Sequence, residues 1–249
     1  MASFRLSFCF GIFCCIAFLG CIANTEEPST QGSAPTGAKK EEPTAKGETK
    51  KVQVGKNITL EIQGEQRRIR VNAEVCLREG LLEQLLTRKR TKEHEAILAA
   101  DIDARELHVA LTLAGAEPGK VVQFRPKLVA PSGTTIKVFL EYEEKGKTIR
   151  VPAQQWIRNI KTKKDFDSDW VFAGSVLIPN PEDVQKKPFY GANDGDVIAI
   201  VNFETSLLDV PFLNTKDNDD LVYQAHTERI PALKTPVTII LEPVIAKKK

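Results

Sequence analysis

The chain has 249 residues and a nearly balanced charge, with 35 lysines and arginines against 33 aspartates and glutamates. This length allows one large domain or two small ones. No basic stripe with interleaved aromatic residues is present, which argues against a nucleic-acid-binding protein. The sequence also lacks a Walker phosphate loop, a dinucleotide-binding glycine pattern and a G-x-S-x-G nucleophile motif, so these enzyme classes are not indicated.

The first 23 residues have the pattern of an export signal. Arg5 supplies a short positive region, and residues 6–19 form an apolar run. That run has the length of a signal-peptide core and is too short to span a bilayer. The segment therefore predicts an exported protein in the periplasm, at the cell surface or in the medium.

Two cleavage sites remain open at the end of this signal. A small-x-small pattern at Cys21–Ala23 would give a mature chain that begins at Asn24. The alternative is a lipobox at Phe18–Cys21, which would make Cys21 a lipidated first residue and the only membrane anchor. Phe18 departs from the aliphatic residue that is usual in that motif. Only Cys76 remains in the rest of the chain, so no internal disulfide is predicted.

Residues 24–51 are predicted to be a disordered linker, and residues 52–249 a single domain. The linker is rich in Glu, Lys, Thr, Pro and Gly and holds no large aliphatic or aromatic side chain. Such a segment cannot bury enough apolar surface to offset the entropy lost on ordering. It would act as a tether between the domain and an envelope surface.

The domain is predicted to contain two hairpins. Apolar residues alternate on both sides of a turn at Gly64-Glu65 and again on both sides of a turn at Lys145-Gly146. Other runs predict further strands at residues 81–86, 170–178, 196–203, 206–210 and 235–243. The segment 91–98 is consistent with either a short helix or an extended strand, and residues 152–156 predict one helical turn.

A helix is predicted from residue 104 to residue 114, although the alternation of Leu107, Val109, Leu111 and Leu113 also permits a strand. Asp103 and Glu106 have the spacing of a capping box at its start, and Gly115 suits the position after its end. Four apolar residues then fall on one helical face: Leu107, Ala110, Leu111 and Ala114. With eight to ten strands and one or two short helices, the predicted class is α+β with a largely antiparallel β-sheet.

The best candidate site is a group of polar residues around the first histidine. The binding candidates are Lys92, Glu93, His94, Glu95, His108 and Trp156. A histidine beside carboxylates suits either a metal site or a general base, provided that the side chains converge. The competing interpretation is structural, with His94 and His108 bonded separately to backbone or carboxylate groups. The H-E-x-x-H pattern is absent, and no catalytic residue is assigned.

No metal or cofactor is predicted. The residues from which a metal site would have to be built are His94, His108, Asp165, Asp167 and Asp169. The three aspartates begin like an EF-hand loop. However, Trp170 stands where that loop needs glycine, and Val176 stands where it needs glutamate.

Several segments resemble the YdjY domain, a family of exported bacterial proteins. The resemblance is carried by Thr91–Leu98, Leu107-His108 with the run to Gly115, Trp156-Ile157 with Asn159, Trp170–Phe172 with Gly174-Ser175, and Thr235–Thr238. It covers about residues 70–243. The resemblance implies an exported envelope domain and brings no catalytic set or cofactor with it.

The sequence therefore predicts an exported envelope protein that serves as a non-catalytic binding or structural module. The partner is unknown; an envelope protein is one candidate. The alternative is an envelope enzyme or metal-handling protein centred on His94, which requires His94 and His108 to converge in an open cleft. A protein-binding module instead requires an exposed apolar patch.

Overall fold

The computed structural model describes residues 48–181, 185, 187–214 and 221–245, so the predicted signal and linker residues 24–47 lie outside the described part. The described residues form one α-helix, α1 (Ala104–Leu113), and two 3-10 helices, Ala153–Trp156 and Gly191–Asp194. They also form seventeen strands: β1 (Lys50–Gly55), β2 (Ile58–Gln63), β3 (Gln66–Val75), β4 (Gln84–Arg88), β5 (Ala96–Ala100), β6 (Pro118–Lys120), β7 (Ser132–Gly133), β8 (Thr135–Glu144), β9 (Lys147–Pro152), β10 (Ile157–Asn159), β11 (Trp170–Phe172), β12 (Leu177–Ile178), β13 (Phe189–Tyr190), β14 (Ile198–Ala199), β15 (Leu208–Asp209), β16 (Tyr223–Ala225) and β17 (Pro236–Pro243).

Eight of these strands close into a barrel. Their order is β3-β17-β8-β11-β15-β14-β4-β5, and β5 pairs back with β3. Neighbours are antiparallel except at β14–β15 and β4–β5, which are parallel. The prediction of a sheet-rich, largely antiparallel domain with a helix is confirmed at that level. The predicted α+β class holds in outline, but the described domain is mostly β, with one α-helix, and its main sheet is a closed barrel rather than an open sheet.

The barrel closes because two strands are long enough to change neighbours. The first half of β3 pairs with β2, whereas its end pairs with β5 through Glu74 and Val75. In the same way, β8 pairs with β11 at its start and with β9 further along. Closure leaves fewer open strand edges and encloses a core of aliphatic and aromatic side chains, with Trp156, Trp170 and Phe172 among the largest.

Both predicted hairpins are confirmed. Strands β2 and β3 pair around Gly64-Glu65, and β8 and β9 pair around Lys145-Gly146. Lys145 and Gly146 have φ values of 52° and 73°. Positive φ at both central positions is the requirement of a type I′ turn, whose twist matches that of the flanking strands.

Helix α1 is confirmed, but its predicted capping box does not form. Asp103 caps the helix by accepting a hydrogen bond from the Arg105 backbone N–H. The Glu106 carboxylate instead accepts from the Lys56 backbone N–H at 3.2 Å. The predicted apolar face is buried as expected, with Leu107, Ala110, Leu111 and Ala114 inside the core.

Two other predicted segments differ from the structure. The chain turns between Thr91 and Glu95 and becomes extended at β5, so the extended alternative for residues 91–98 applies to its second half. The predicted strand 170–178 is interrupted: β11 stays in the barrel, whereas β12 pairs only with β13, outside it. The interruption lies at Gly174 and Ser175, both of which have positive φ.

No helix in the described part of the chain has the length and apolar character that are needed to cross a bilayer.

Candidate functional site

A groove of about 490 Å³ lies between α1 and the segment that leads into β12. We call it the His108 groove. It is lined by Arg105, His108, Val109, Gly174, Ser175, Val176, Leu177 and Tyr190. Most of these residues offer apolar or backbone surface. Ligand sites typically combine such walls with a few fixed polar groups, and here the fixed polar groups are His108 and Tyr190.

The His108 ring is held in place by contacts with Tyr190 and Phe172. Its Nδ1 lies 2.7 Å from the Tyr190 hydroxyl oxygen, and that hydroxyl donates a hydrogen bond to the Gly174 carbonyl at 2.8 Å. The ring also packs edge-on against Phe172, with 4.8 Å between centroids. Burial lowers the pKa of His108 from its usual value and raises the pKa of the Tyr190 phenol. Both groups are therefore neutral at physiological pH.

The floor of the groove is a strained backbone segment. Gly174 has φ 93° and Ser175 has φ 59°, so two successive residues are left-handed. A β-carbon at Gly174 would lie 2.9 Å from Pro118 Cβ, which explains glycine there. Ser175 Oγ donates to the Thr205 carbonyl at 2.7 Å and accepts from the Ala192 N–H at 2.9 Å. These two bonds hold the unusual turn in place, and the Ser175 side chain also forms a hydrogen bond with Tyr190.

Exposed apolar side chains continue the apolar surface beyond the groove. On α1 they are Val109 and Leu113, which are one helical turn apart. On the β12–β13 pair, Leu177 lies on the groove side and is 63% exposed, whereas Ile178 and Phe189 pair on the opposite face. Apolar side chains that cluster beside a groove, rather than occurring singly, are typical of a binding surface.

The His108 groove lies within a domain that matches a known protein family. A family model described as the YdjY domain matches residues 60–242. The chain belongs to the YdjY family. The matched span of the YdjY domain runs from β2 into β17 and so includes α1, β12, β13 and the whole His108 groove. No curated protein and no solved structure shows significant similarity to the chain.

The structure places the two candidate histidines in different settings. His94 is 77% exposed, and its Nε2 lies 3.6 Å from the neighbouring Glu95 carboxylate. His108 instead faces Tyr190 and Phe172 in the groove. No contact joins the two histidines within the described residues. Nor do the described residues contain a group of three or more side chains suited to hold a metal ion.

Lys92 forms an ion pair with a buried carboxylate and has a structural role in the YdjY domain. Its Nζ lies 2.8 Å from Oδ1 of Asp196, a carboxylate that is 2% exposed. Gln84 donates to the same oxygen at 2.8 Å, and the ammonium lies 4.7 Å from the centre of the Phe203 ring. Glu93 accepts from the Arg90 backbone N–H and so closes the local turn. These contacts bind the turn before β5 to the segment before β14.

The remaining predicted candidates also lie away from the groove. Trp156 is 1% exposed and packs against Tyr142 in the core. Asp165 pairs with Arg229 at 2.6 Å, and Asp169 accepts from Gln154 at 3.0 Å. Asp167 is exposed. Each of the two bonded aspartates thus has a local partner.

Sequence reasoning did not single out Arg105, Ser175, Leu177 or Tyr190 as site residues. Tyr190 is 82 positions from His108, and the sequence has no feature that reports such a long-range pair. One local signal was present. Gly174 interrupts an otherwise apolar run, and an isolated glycine in a strand pattern often marks a bulge or a break.

The N-terminal cap of α1, the helix that carries His108, leads to a first prediction. The Asp103 carboxylate caps α1, pairs with the Arg105 guanidinium and accepts from Asn193 Nδ2 at 2.9 Å. The bond from Arg105 is the main reason why the pKa of Asp103 is held well below its usual range. We expect Asp103→Ala to lower the free energy of unfolding by about 1–2 kcal/mol in urea titrations, because cap removal typically costs this much.

Asp103→Asn is the matched control, since asparagine caps helices about as well as aspartate. At pH 7 this variant should lose less than half of the free energy of unfolding that Asp103→Ala loses. Because the pKa of Asp103 is lowered in the folded state, its contribution is present at neutral pH and is lost as the pH falls below the carboxyl's ordinary value. Equal losses for the two variants would show that the carboxylate does not act through the cap.

Proposed function

We propose that the protein is an exported module of the cell envelope that binds a ligand in the His108 groove without transforming it. One observation carries the proposal: a neutral, fixed histidine stands in an apolar groove whose rim carries exposed Val109 and Leu177. A site with apolar walls and few oriented polar groups is suited to recognition. Arg105, whose side chain is 54% exposed, lines the groove and contributes a charged group at its rim.

The bonding of the groove hydroxyls supports binding rather than nucleophilic catalysis. A serine nucleophile needs its hydroxyl hydrogen-bonded to a base. Ser175 Oγ instead donates to the Thr205 carbonyl, and Tyr190 donates to the Gly174 carbonyl. Both hydroxyl protons are therefore given to backbone carbonyls, which cannot act as bases. The alternative, metal handling centred on His94, draws its support from the sequence neighbours Glu93 and Glu95.

Binding in the groove is tested with an apolar dye as the probe. We expect anilinonaphthalene sulfonate to bind the full-length protein with fluorescence enhancement, and Leu177→Asp to weaken this binding at least tenfold. The reason is that a charge is placed against the apolar part of the dye. Leu233→Asp is the control, because Leu233 is similarly exposed, at 58%, and does not line the groove. Equal effects of the two variants would contradict a specific groove site.

Export is the second part of the proposal, and its support is the Arg5 and residue 6–19 pattern. Cell fractionation should place the full-length chain outside the cytoplasm. A variant with two aspartates inserted into the apolar run should stay inside. Cys21→Ala distinguishes the two cleavage alternatives: release from the membrane fraction indicates a lipid anchor, and an unchanged soluble fraction indicates the free form. Cytoplasmic wild-type protein would refute export.

A further inference from the structure

The β12–β13 pair has an unpaired edge next to the groove. Gly191 N–H donates to the Val176 carbonyl at 2.8 Å, and Leu177 lies opposite Tyr190. In an antiparallel ladder this makes Leu177 and Tyr190 a non-hydrogen-bonded pair. The N–H and C=O groups of Leu177 therefore point away from β13. Because β12 pairs only with β13 among the described strands, this edge has no strand partner there.

The His108 ring presents a hydrogen-bond acceptor to the groove. The Gly174 carbonyl, 2.8 Å from the Tyr190 hydroxyl oxygen, can only accept, so the hydroxyl proton is assigned to that bond. The Tyr190 oxygen then accepts from His108, which assigns the ring proton to Nδ1. In a neutral imidazole the other nitrogen, Nε2, is left with a lone pair. Nδ1 faces Tyr190, and the Gly174 backbone also lies close to the ring. We therefore assign Nε2 as the nitrogen that accepts from a donor on a ligand.

We propose that the His108 groove binds an extended peptide segment that pairs with the free edge of β12, donates a backbone N–H to His108 Nε2 and packs an apolar side chain between Val109 and Leu177. This inference rests on the proposed function and adds the class of ligand. A peptide backbone alternates donors and acceptors, which matches Leu177 N–H, Leu177 C=O and His108 Nε2. A purely apolar ligand would satisfy the walls and leave all three polar groups without a partner.

The first arm of the test reads the tautomer directly. Histidine side-chain ¹⁵N spectra of the full-length protein, with the His108 signals assigned by their loss in His108→Gln, should show a protonated Nδ1 and an unprotonated Nε2. Tyr190→Phe removes the oxygen that accepts from Nδ1, so the preference for this tautomer should weaken in the variant. A protonated Nε2 in the wild type would overturn the proposal.

The second arm uses acetylated, amidated hexapeptides in which threonine alternates with leucine, valine or phenylalanine. N-methylation of one residue at a time removes one donor without changing the side chain. Binding should fall roughly tenfold or more at no more than two positions, the residues whose N–H groups donate to the Leu177 carbonyl and to His108 Nε2. A peptide that binds should also shift the His108 Nε2 signal. Uniform losses along the peptide would overturn strand pairing.

A matched pair of variants tests the strand edge itself. Leu177→Ala shortens the side chain and keeps the backbone N–H, whereas Leu177→Pro also removes that N–H. Proline is tolerated where its nitrogen faces an open edge. We expect Leu177→Pro to bind the peptides at least tenfold more weakly than Leu177→Ala, and equal affinities would overturn the proposal. Dye binding without peptide binding would reject the peptide and leave the proposed groove function intact.

Discussion

Replacing Lys92 with methionine should lower the free energy of unfolding by about 3 kcal/mol, although the substitution keeps most of the side-chain volume. The Lys92 ammonium is the cation that faces the buried Asp196 carboxylate, with 2.8 Å between Nζ and Oδ1. Removing one partner of a buried pair leaves the other charge uncompensated, which typically costs 3–5 kcal/mol. The lower end applies here because Gln84 and Thr205 still donate to Asp196.

Lys89→Met is the matched control for this prediction. Lys89 belongs to the same turn region and pairs with Glu74 at 2.9 Å, but both side chains are more than a third exposed. A solvent-exposed pair of this kind typically contributes less than about 1 kcal/mol. Urea titration of the two variants compares a buried with an exposed ion pair in one protein. A loss below 1 kcal/mol for Lys92→Met would contradict a structural role for this lysine.

The second large effect is a dependence of stability on pH that originates at Asp209. This carboxyl is fully buried in β15, and burial raises its pKa to about 7. Oδ1 accepts from Asn202 Nδ2 at 2.9 Å and from Val210 N–H at 2.7 Å. These hydrogen bonds favour the ionised form, but the loss of hydration on burial outweighs them, so the protonated form is favoured in the folded state.

The sign follows from the two protonation states. Between the ordinary carboxyl pKa and about 7, folded Asp209 holds a proton that the unfolded chain has released. Its contribution to the free energy of unfolding is therefore present at low pH and is lost as the pH rises through this window. The shift corresponds to roughly 4 kcal/mol, since each pKa unit equals about 1.4 kcal/mol.

Asp209→Asn should remove this dependence, because asparagine stays neutral at every pH. The stability of the variant relative to wild type should therefore rise by several kcal/mol between pH 4 and pH 8. Taking the difference cancels the titration of all other groups that the two proteins share. An unchanged difference across this range would show that Asp209 is ionised throughout.

The features that were predicted correctly depend on local sequence. The two hairpins follow from turn residues that accept positive φ, such as Gly146, together with alternating apolar residues on both sides. The cap of α1 follows from Asp103, and its buried face follows from the helical repeat. Each of these signals lies within a few residues of the element that it specifies.

Barrel closure was not predictable in this way. It depends on the pairing of β3 with β5 and on the parallel pairing of β14 with β15, which engage only one or two residues each. Such short ladders leave no long apolar alternation in the sequence. The length of β3 gave a partial signal, because a ten-residue strand extends beyond its six-residue hairpin partner. Which strand fills the remaining edge is decided by tertiary packing.

The candidate site could be predicted only in part, because the partners of its side chains are also distant in the sequence. Adjacent polar residues drew attention to Lys92 and His94, yet the partner of Lys92 is Asp196, 104 positions away. His108 was predicted as a candidate, but its setting depends on Tyr190 and Gly174, which come from distant segments. A side chain can be nominated from sequence, whereas the groups that fix its protonation and orientation require the fold.

The His108 groove is the proposed binding surface of this YdjY domain. The most direct test of this proposal is a map of backbone amide shifts of the full-length protein during titration with anilinonaphthalene sulfonate. We predict that the shifted signals cluster in residues 105–109 of α1, residues 174–177 and residues 189–190, which line or flank the groove. Shifts scattered over the barrel, or centred on His94 with the groove unchanged, would contradict the account.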